Sequence, residues 1–422
     1  MRPFWGRAWL IAGTVLLGLY LSGASMVWVG LRARGATWAE WSHFAWPGHW
    51  DSIDGARAKF FVEMADQHLA RGEINEAFIA LATARKLGAS DFKTMFLLAV
   101  MAGHRGEAGY AEAQFIALMK DFPAERERVA TAFHDYLLTS FQFEALAAFC
   151  RDQIVAQAGA SPAWVHSLLY VEELRGNVAQ FRLATGEAWA RLPAGVRGVL
   201  LAMELAQSGR LEEAKMKLKE TRPSLTQAED VVLVRHRLRM WRELGAFAEA
   251  FAELSWARQV QPSFEWTAQG HLLLWARDQA LSEWAFEGIL PEKLTKPVID
   301  RLCAVVLDTR DGASLVRLAR AVQQSEWRDD PSVAASLWVA ALVCEREDVA
   351  ESVAAGVSGW FPSKITAKEF VRHLHTAGGM RFALGALPLG RESVYALVRE
   401  VVEQHAAARL AKNSLGAASG AP

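Results

Sequence analysis

Residues 61–84 read FVEMADQHLARGEINEAFIALATA, and residues 95–118 read MFLLAVMAGHRGEAGYAEAQFIAL. Set one over the other at a step of 34, they match by position: Met64 over Leu98, Gly72 over Gly106, Ala77 over Ala111, Leu81 over Phe115. One more step reaches Ala145 and Phe149. That interval is the length of a helix–turn–helix unit, and a fixed period decides the architecture before any local motif does. Gly72 and Gly106 stand where one helix ends, in the left-handed conformation that costs glycine least. Ala77, Ala111 and Ala145 stand where two helices cross, and a larger side chain there would push them apart. The expectation is an all-α fold of stacked helix pairs.

Later copies drift by a residue or two. Leu201, Ala202, Leu205, Gly209, Ala214 and Leu218 form one, and Val234, Leu238, Trp241, Gly245, Ala250 and Leu254 another, closed by Pro262. Weaker copies fall around 125–160, 161–193, 264–296 and 297–330, with a degenerate one from Leu337 to Pro362. This pattern of apolar–small pairs, turn glycine, alanine and closing proline resembles the tetratricopeptide repeat family, over about residues 58–362. The resemblance implies a right-handed α-solenoid whose concave groove binds protein or peptide partners. It implies no particular activity.

From Ala8 to Leu31 no residue is charged, and Arg7 and Arg32 flank the run. As a helix these residues extend about 36 Å, enough for a hydrocarbon core of about 30 Å. Trp5, Trp9 and Trp28 sit near its edges, as interfacial anchors do. The rival reading is a signal peptide cleaved after Ser22-Gly23-Ala24. Against it, Met26-Val27-Trp28-Val29 carries the apolar run past that site. The short tail favours an N-terminus left in the cytoplasm, which puts the large domain in the periplasm of a bacterial inner membrane. In residues 32–56, Trp38, Trp41, Trp46 and Trp50 crowd a connector. Two readings stand for them: a segment at the membrane interface, or a cover for the first repeat.

Composition narrows the function classes. A net charge of −1 gives no general affinity for nucleic acid. Cys150, Cys303 and Cys344 lie far apart, without zinc or C-x-x-C spacing, and read as buried free thiols. No phosphate loop, metalloprotease motif, nucleophile elbow or dinucleotide fingerprint occurs. His373 and His375 are two apart, on different helix faces. The adjacent Glu172 and Glu173 point apart on a helix and so make no catalytic dyad. The chain reads as a non-enzyme with no catalytic residues, no metal, no cofactor and no small-molecule substrate.

One constellation remains. Arg235, Arg239 and Arg242 are spaced i, i+4, i+7 and share one helical stripe. The register of Leu238, Gly245 and Ala250 makes this the first helix of its pair, which in the family lines the groove. Arg237 stands where the family pattern has an apolar residue. Three guanidinium groups on that wall would clamp carboxylates of a partner.

The expected organisation is a tail and membrane helix over 1–31, the connector over 32–56, and the solenoid over 57–362. A C-terminal helical cap follows over 363–411, with helices at Thr366–Thr376 and Arg391–Ala411 around a break at Gly378-Gly379. A disordered tail covers 412–422. The expected function is a membrane-tethered scaffold or adaptor in a bacterial envelope assembly. The alternatives are an accessory component of envelope polysaccharide or haem synthesis, or a soluble exported repeat protein.

Overall fold

The structure, a computed structural model, describes residues 5–156, 161–262, 266, 294–357 and 387–418. All regular structure among them is helical, with one long apolar helix at the N-terminus. Most of the copy at 264–296, Pro362, the 366–376 helix, His373, His375 and Gly378-Gly379 lie outside the described residues. The chain divides into two compact units, Met1–Phe133 and His134–Pro422.

The first unit opens with α1 (Trp5–Ala33) and α2 (Trp41–Ala45). It continues through α3 (Ser52–Ala70), α4 (Ile74–Lys86), α5 (Phe92–Arg105) and α6 (Ala108–Asp121) into α7 (Arg126–Thr139), within which the division falls. Helix α1 is long and apolar enough to cross a membrane: Arg7–Ala33 has a mean hydropathy of 1.8, and Leu10, Leu16 and Met26 are exposed. Its second half is not bare. The Tyr20 hydroxyl donates to the Phe44 carbonyl at 2.9 Å, Trp28 Nε1 to the Ala39 carbonyl at 3.1 Å, and Trp41 Nε1 to Ser25 Oγ at 3.0 Å. The connector thus folds back along α1. It is also shorter than expected, because α3 begins at Ser52. Ala65, Ala77, Leu81, Leu98 and Met101 form the core between α3, α4 and α5, with Phe61 and Met64 packed on it.

The second unit contains α8 (Phe143–Ala156), α9 (Pro162–Arg175), α10 (Val178–Thr185), α11 (Ala188–Arg191), α12 (Ala194–Gln207), α13 (Leu211–Glu220), α14 (Ala228–Glu243) and α15 (Phe247–Val260). After the undescribed stretch come α16 (Lys296–Thr309), α17 (Gly312–Gln323), α18 (Pro331–Val343), α19 (Glu347–Val357) and α20 (Arg391–Ala418). Cys150 and Cys303 are buried free thiols, and Cys344 is half-buried. Helix α20 runs seven residues past the expected stop at Ala411, so residues 412–418 are not a loose tail. Lys412, Leu415, Ala417 and Ala418 favour the helix, offsetting Asn413, Ser414 and Gly416, and no proline interrupts it before Pro422.

One junction recurs in both units. A residue with positive φ follows the end of one helix, the next helix begins two residues after it, and five residues after it a side chain is buried at the crossing. The glycine copies are Gly72 with Ala77, Gly106 with Ala111, Gly209 with Ala214 and Gly245 with Ala250, each of these alanines fully buried. Gly176 with Phe181 is a fifth. In three more, Phe141, Arg310 and Glu345 hold φ of 57°, 53° and 54°, and Leu146, Leu315 and Ala350 are buried. Two closures occur, each with and without glycine: a single bond, from Gly176 N–H to the Glu172 carbonyl and from Arg310 N–H to the Val306 carbonyl, and a pair of bonds at the other junctions. Glu73 N–H reaches the His68 carbonyl at 2.9 Å and Gly72 N–H that of Leu69 at 3.0 Å; Gln142 and Phe141 repeat this with Leu137 and Leu138 at 3.0 and 3.1 Å. These bonds satisfy the last carbonyls of each helix.

The third junction corrects the period. Ala145 is exposed and Leu146 takes the crossing, because the step from Gly106 to Phe141 is 35 residues. One extra residue turns a helix position by about 100°, which carries Ala145 off the buried face.

Candidate functional site

Helix α14 begins with a capping arrangement. The Asp230 carboxylate accepts from Thr226 N–H at 3.0 Å and Gln227 N–H at 3.3 Å, which fixes where the helix starts and where its side chains point. Arg237 then faces inward and is buried. Its Nε and Nη2 donate to the two carboxylate oxygens of Glu253 on α15, at 2.5 and 2.9 Å, and its Nη1 donates to the Leu218 carbonyl at 2.5 Å. Trp241 Nε1 adds a bond to Glu253 at 2.7 Å. A charge thus sits in the interior of this helix pair with its partners supplied.

Arg235, Arg239 and Arg242 lie together on another face of α14, each about one-fifth exposed. They wall a cleft whose other sides are α9, α16 and α20. Their carboxylate partners come from this chain. Arg235 Nη1 meets Glu392 at 2.8 Å, Arg239 Nε meets Glu173 at 3.2 Å, and Arg242 Nη1 meets Asp308 at 3.3 Å. Arg239 also reaches Asp308 at 3.5 Å and lies over the Tyr170 ring at 5.7 Å. The C-terminal helix α20 gives as well as takes: its Arg399 sits 3.0 Å from Glu173 and 3.6 Å from Glu243. Glu392 and Arg399 are seven apart, one face of α20. The anion-favouring stripe is occupied by acids of the same molecule.

Beneath the ion pairs lies a polar seam. His134 Nε2 is 2.8 Å from Ser167 Oγ and 3.0 Å from the Tyr395 hydroxyl, which also meets Ser167. The Tyr170 hydroxyl donates to the Tyr395 carbonyl. His166 Nδ1 lies 3.0 Å from His236 Nε2. Burial lowers the pKa of both imidazoles, His166 to about 4 and His236 well below its ordinary value, against the pull of Glu392 and with the push of Arg235 and Arg239. Both are neutral at pH 7.

The carboxylates divide in two. Burial raises both Glu173, against the relief from Arg239, and Glu243, which repulsion from Glu173 also helps lift to about 7. Glu392 is buried too, yet Arg235 and His166 hold its carboxyl far below the usual range. Glu172 and Glu173 point apart, Glu172 to Arg175 at 2.6 Å.

Between these groups is a cavity of about 100 Å³, lined in part by His166, His236, Arg235, Arg301, Asp308 and Glu392. Sequence reasoning found the stripe but not its partners, which lie on helices 66 to 157 residues away. Among the described residues no group of three His, Cys, Asp or Glu side chains comes together to hold a metal ion. In comparisons with known proteins, no family model matches this chain and no curated protein matches it.

Proposed function

We propose that this protein is a membrane-tethered α-solenoid scaffold of the tetratricopeptide type that holds a helical protein segment on its arginine wall. The observation that carries the reading is the seating of α20. A helix presenting Glu392 and Arg399 on one face is gripped by Arg235 from one side and by Glu173 from the other. That pattern of charges is what a partner helix would copy, exchanging with α20 for the same wall. Helix α1 supports the membrane part, and the recurring turn and crossing support the repeat. The N-terminus faces the cytoplasm of a bacterial inner membrane, and the repeats work in the periplasm within an envelope assembly.

The test is affinity purification of the full-length chain in mild detergent, with mass spectrometry of what is retained. The reading expects a dominant protein partner with an acidic helical segment, and less of it on an Arg239→Gln/Arg242→Gln variant whose helical spectrum matches the parent. Equal capture by parent and variant overturns the arginine wall as the binding surface.

A further inference from the structure

Helix α1 carries no charge from Ala8 to Leu31. With Arg7 at one edge of a bilayer, a hydrocarbon core of about 30 Å takes up roughly 20 residues and ends near Val27. The connector meets α1 before that point. Phe44, Trp50 and Ile53 form one side of a groove whose other side includes Leu19, Gly23 and Val27 of α1. The Tyr20 and Trp41 hydrogen bonds hold α2 at the same level. Leu19 and Val27 are about 12 Å apart along the helix axis. With α1 across a bilayer, the connector therefore lies beside it at the depth of the leaflet remote from Arg7.

Its side chains suit that depth. Trp38 is spent on the fold: its ring lies 6.4 Å from that of Phe44, and the Arg57 guanidinium of α3 sits 5.9 Å from it. Trp41, Trp46 and Trp50 are instead 42%, 63% and 53% exposed. An indole has an apolar body and one N–H donor, and settles where headgroups meet acyl chains. The carboxylates set the limit in the other direction. From Trp41 to Ile53 there is no lysine or arginine, and Asp51 is the one acid, with Glu40 and Asp54 just outside. All three are exposed. They keep the segment out of the hydrocarbon, where a charge is costly. Without a basic residue, the segment has no hold on anionic headgroups.

We propose that residues 41–53 are a membrane foot, bedded in the headgroup–acyl boundary beside α1 with the indoles of Trp46 and Trp50 against lipid. The partner is the lipid surface itself, and the contact is apolar and indifferent to headgroup charge. The foot rests on the reading of α1 as a membrane helix. Of the two roles the sequence leaves open for the connector tryptophans, the interface goes to Trp46 and Trp50, and the cover to Trp38.

The experiment places spin labels on the full-length protein in phosphatidylcholine nanodiscs. Depth is read from collisions with oxygen against those with a water-soluble nickel chelate. One label goes on Gly48→Cys, which keeps every indole and whose nearest neighbour is the Trp46 ring at 4.0 Å. Another goes on Trp46→Cys, and a third on Val15→Cys, exposed in the middle of α1. Cys344→Ser removes the one native thiol that is not buried. Free label in buffer sets the value for water. The Val15 label is expected deep in hydrocarbon. The labels at positions 46 and 48 are expected within about 5–10 Å of the lipid surface, the depth of interfacial segments. Both depths should stay the same when phosphatidylglycerol replaces part of the lipid. A Val15 label in hydrocarbon with positions 46 and 48 at the water value overturns the foot and leaves α1 as a tether. A Val15 label at the water value overturns the tether, and the foot with it. Immersion of positions 46 and 48 only when anionic lipid is present overturns the apolar contact.

Discussion

Arg237 and Glu253 meet in the interior between α14 and α15 as a two-pronged ion pair, with 1% and 6% of their side chains exposed. Every oxygen and nitrogen they bring inside has a use, since Trp241 and the Leu218 carbonyl take the positions left over. Removing one partner strands the other. Glu253→Ala is expected to cost about 3–5 kcal/mol, read as a drop in the urea midpoint. Arg237→Leu combined with Glu253→Leu is expected to recover most of that loss. A double variant as unstable as the sum of its singles would mean the pair does not act as a unit.

The junctions with positive φ make a prediction of opposite sign at two sites. Glu345 is exposed and adopts a conformation that disfavours any side chain, so Glu345→Gly is expected to stabilise by about 1 kcal/mol. Gly209 has open space around it, so Gly209→Ala meets only backbone strain and is expected to destabilise by a similar amount. Thermal midpoints of the two variants should bracket the parent.

Ala111 and Ala145 share a period but not an environment. Ala111→Leu overpacks a fully buried crossing, an expected loss of about 1–3 kcal/mol. Ala145→Leu adds the same atoms to an exposed position and is expected to change stability by less than about 0.5 kcal/mol. Equal effects in denaturant titrations would place both alanines in one register.

Burial raises the Glu172 carboxyl to about 7, and Arg175 offsets this only in part. The folded protein therefore binds a proton that the unfolded chain, titrating near the ordinary 4.5, has released. Stability from this group is full below about 4.5 and is lost as pH rises toward 7. Glu173 and Glu243 contribute with the same sign. Glu172→Gln is expected to be more stable than the parent at pH 8, by on the order of 2–3 kcal/mol. Its urea midpoint should also vary less between pH 5 and 8. A parent-like pH slope in the variant would assign the dependence elsewhere.

Much of the helical pairing was legible because the positions that demand it are often filled by residues that announce the demand. Glycine at 72, 106, 209 and 245 and alanine five residues on read directly as turn and crossing. Phe141, Arg310 and Glu345 make the same turn while paying in backbone strain, so composition hides them. The 34-residue step also failed at Ala145, because one inserted residue leaves a loop intact yet rotates everything after it. The stripe of Arg235, Arg239 and Arg242 follows from helical spacing within one segment. Its filling does not, since Asp308 and Glu392 reach it only through the packing of distant helices. Glu173 was visible as one of two adjacent acids, but nothing local says that it turns toward Arg239 while Glu172 turns toward Arg175.

The bonds from Tyr20, Trp28 and Trp41 bear on how the first unit is carried. A flexible linker lets a domain sweep a volume that grows with linker length. Here the connector is fastened along α1 at three points, and α3 starts directly beyond it. With α1 in a bilayer, the helices that follow stand at a set height and face a set direction, and reach only what lies within that narrow band above the surface. The N-terminal helix then serves as a bracket, not a leash.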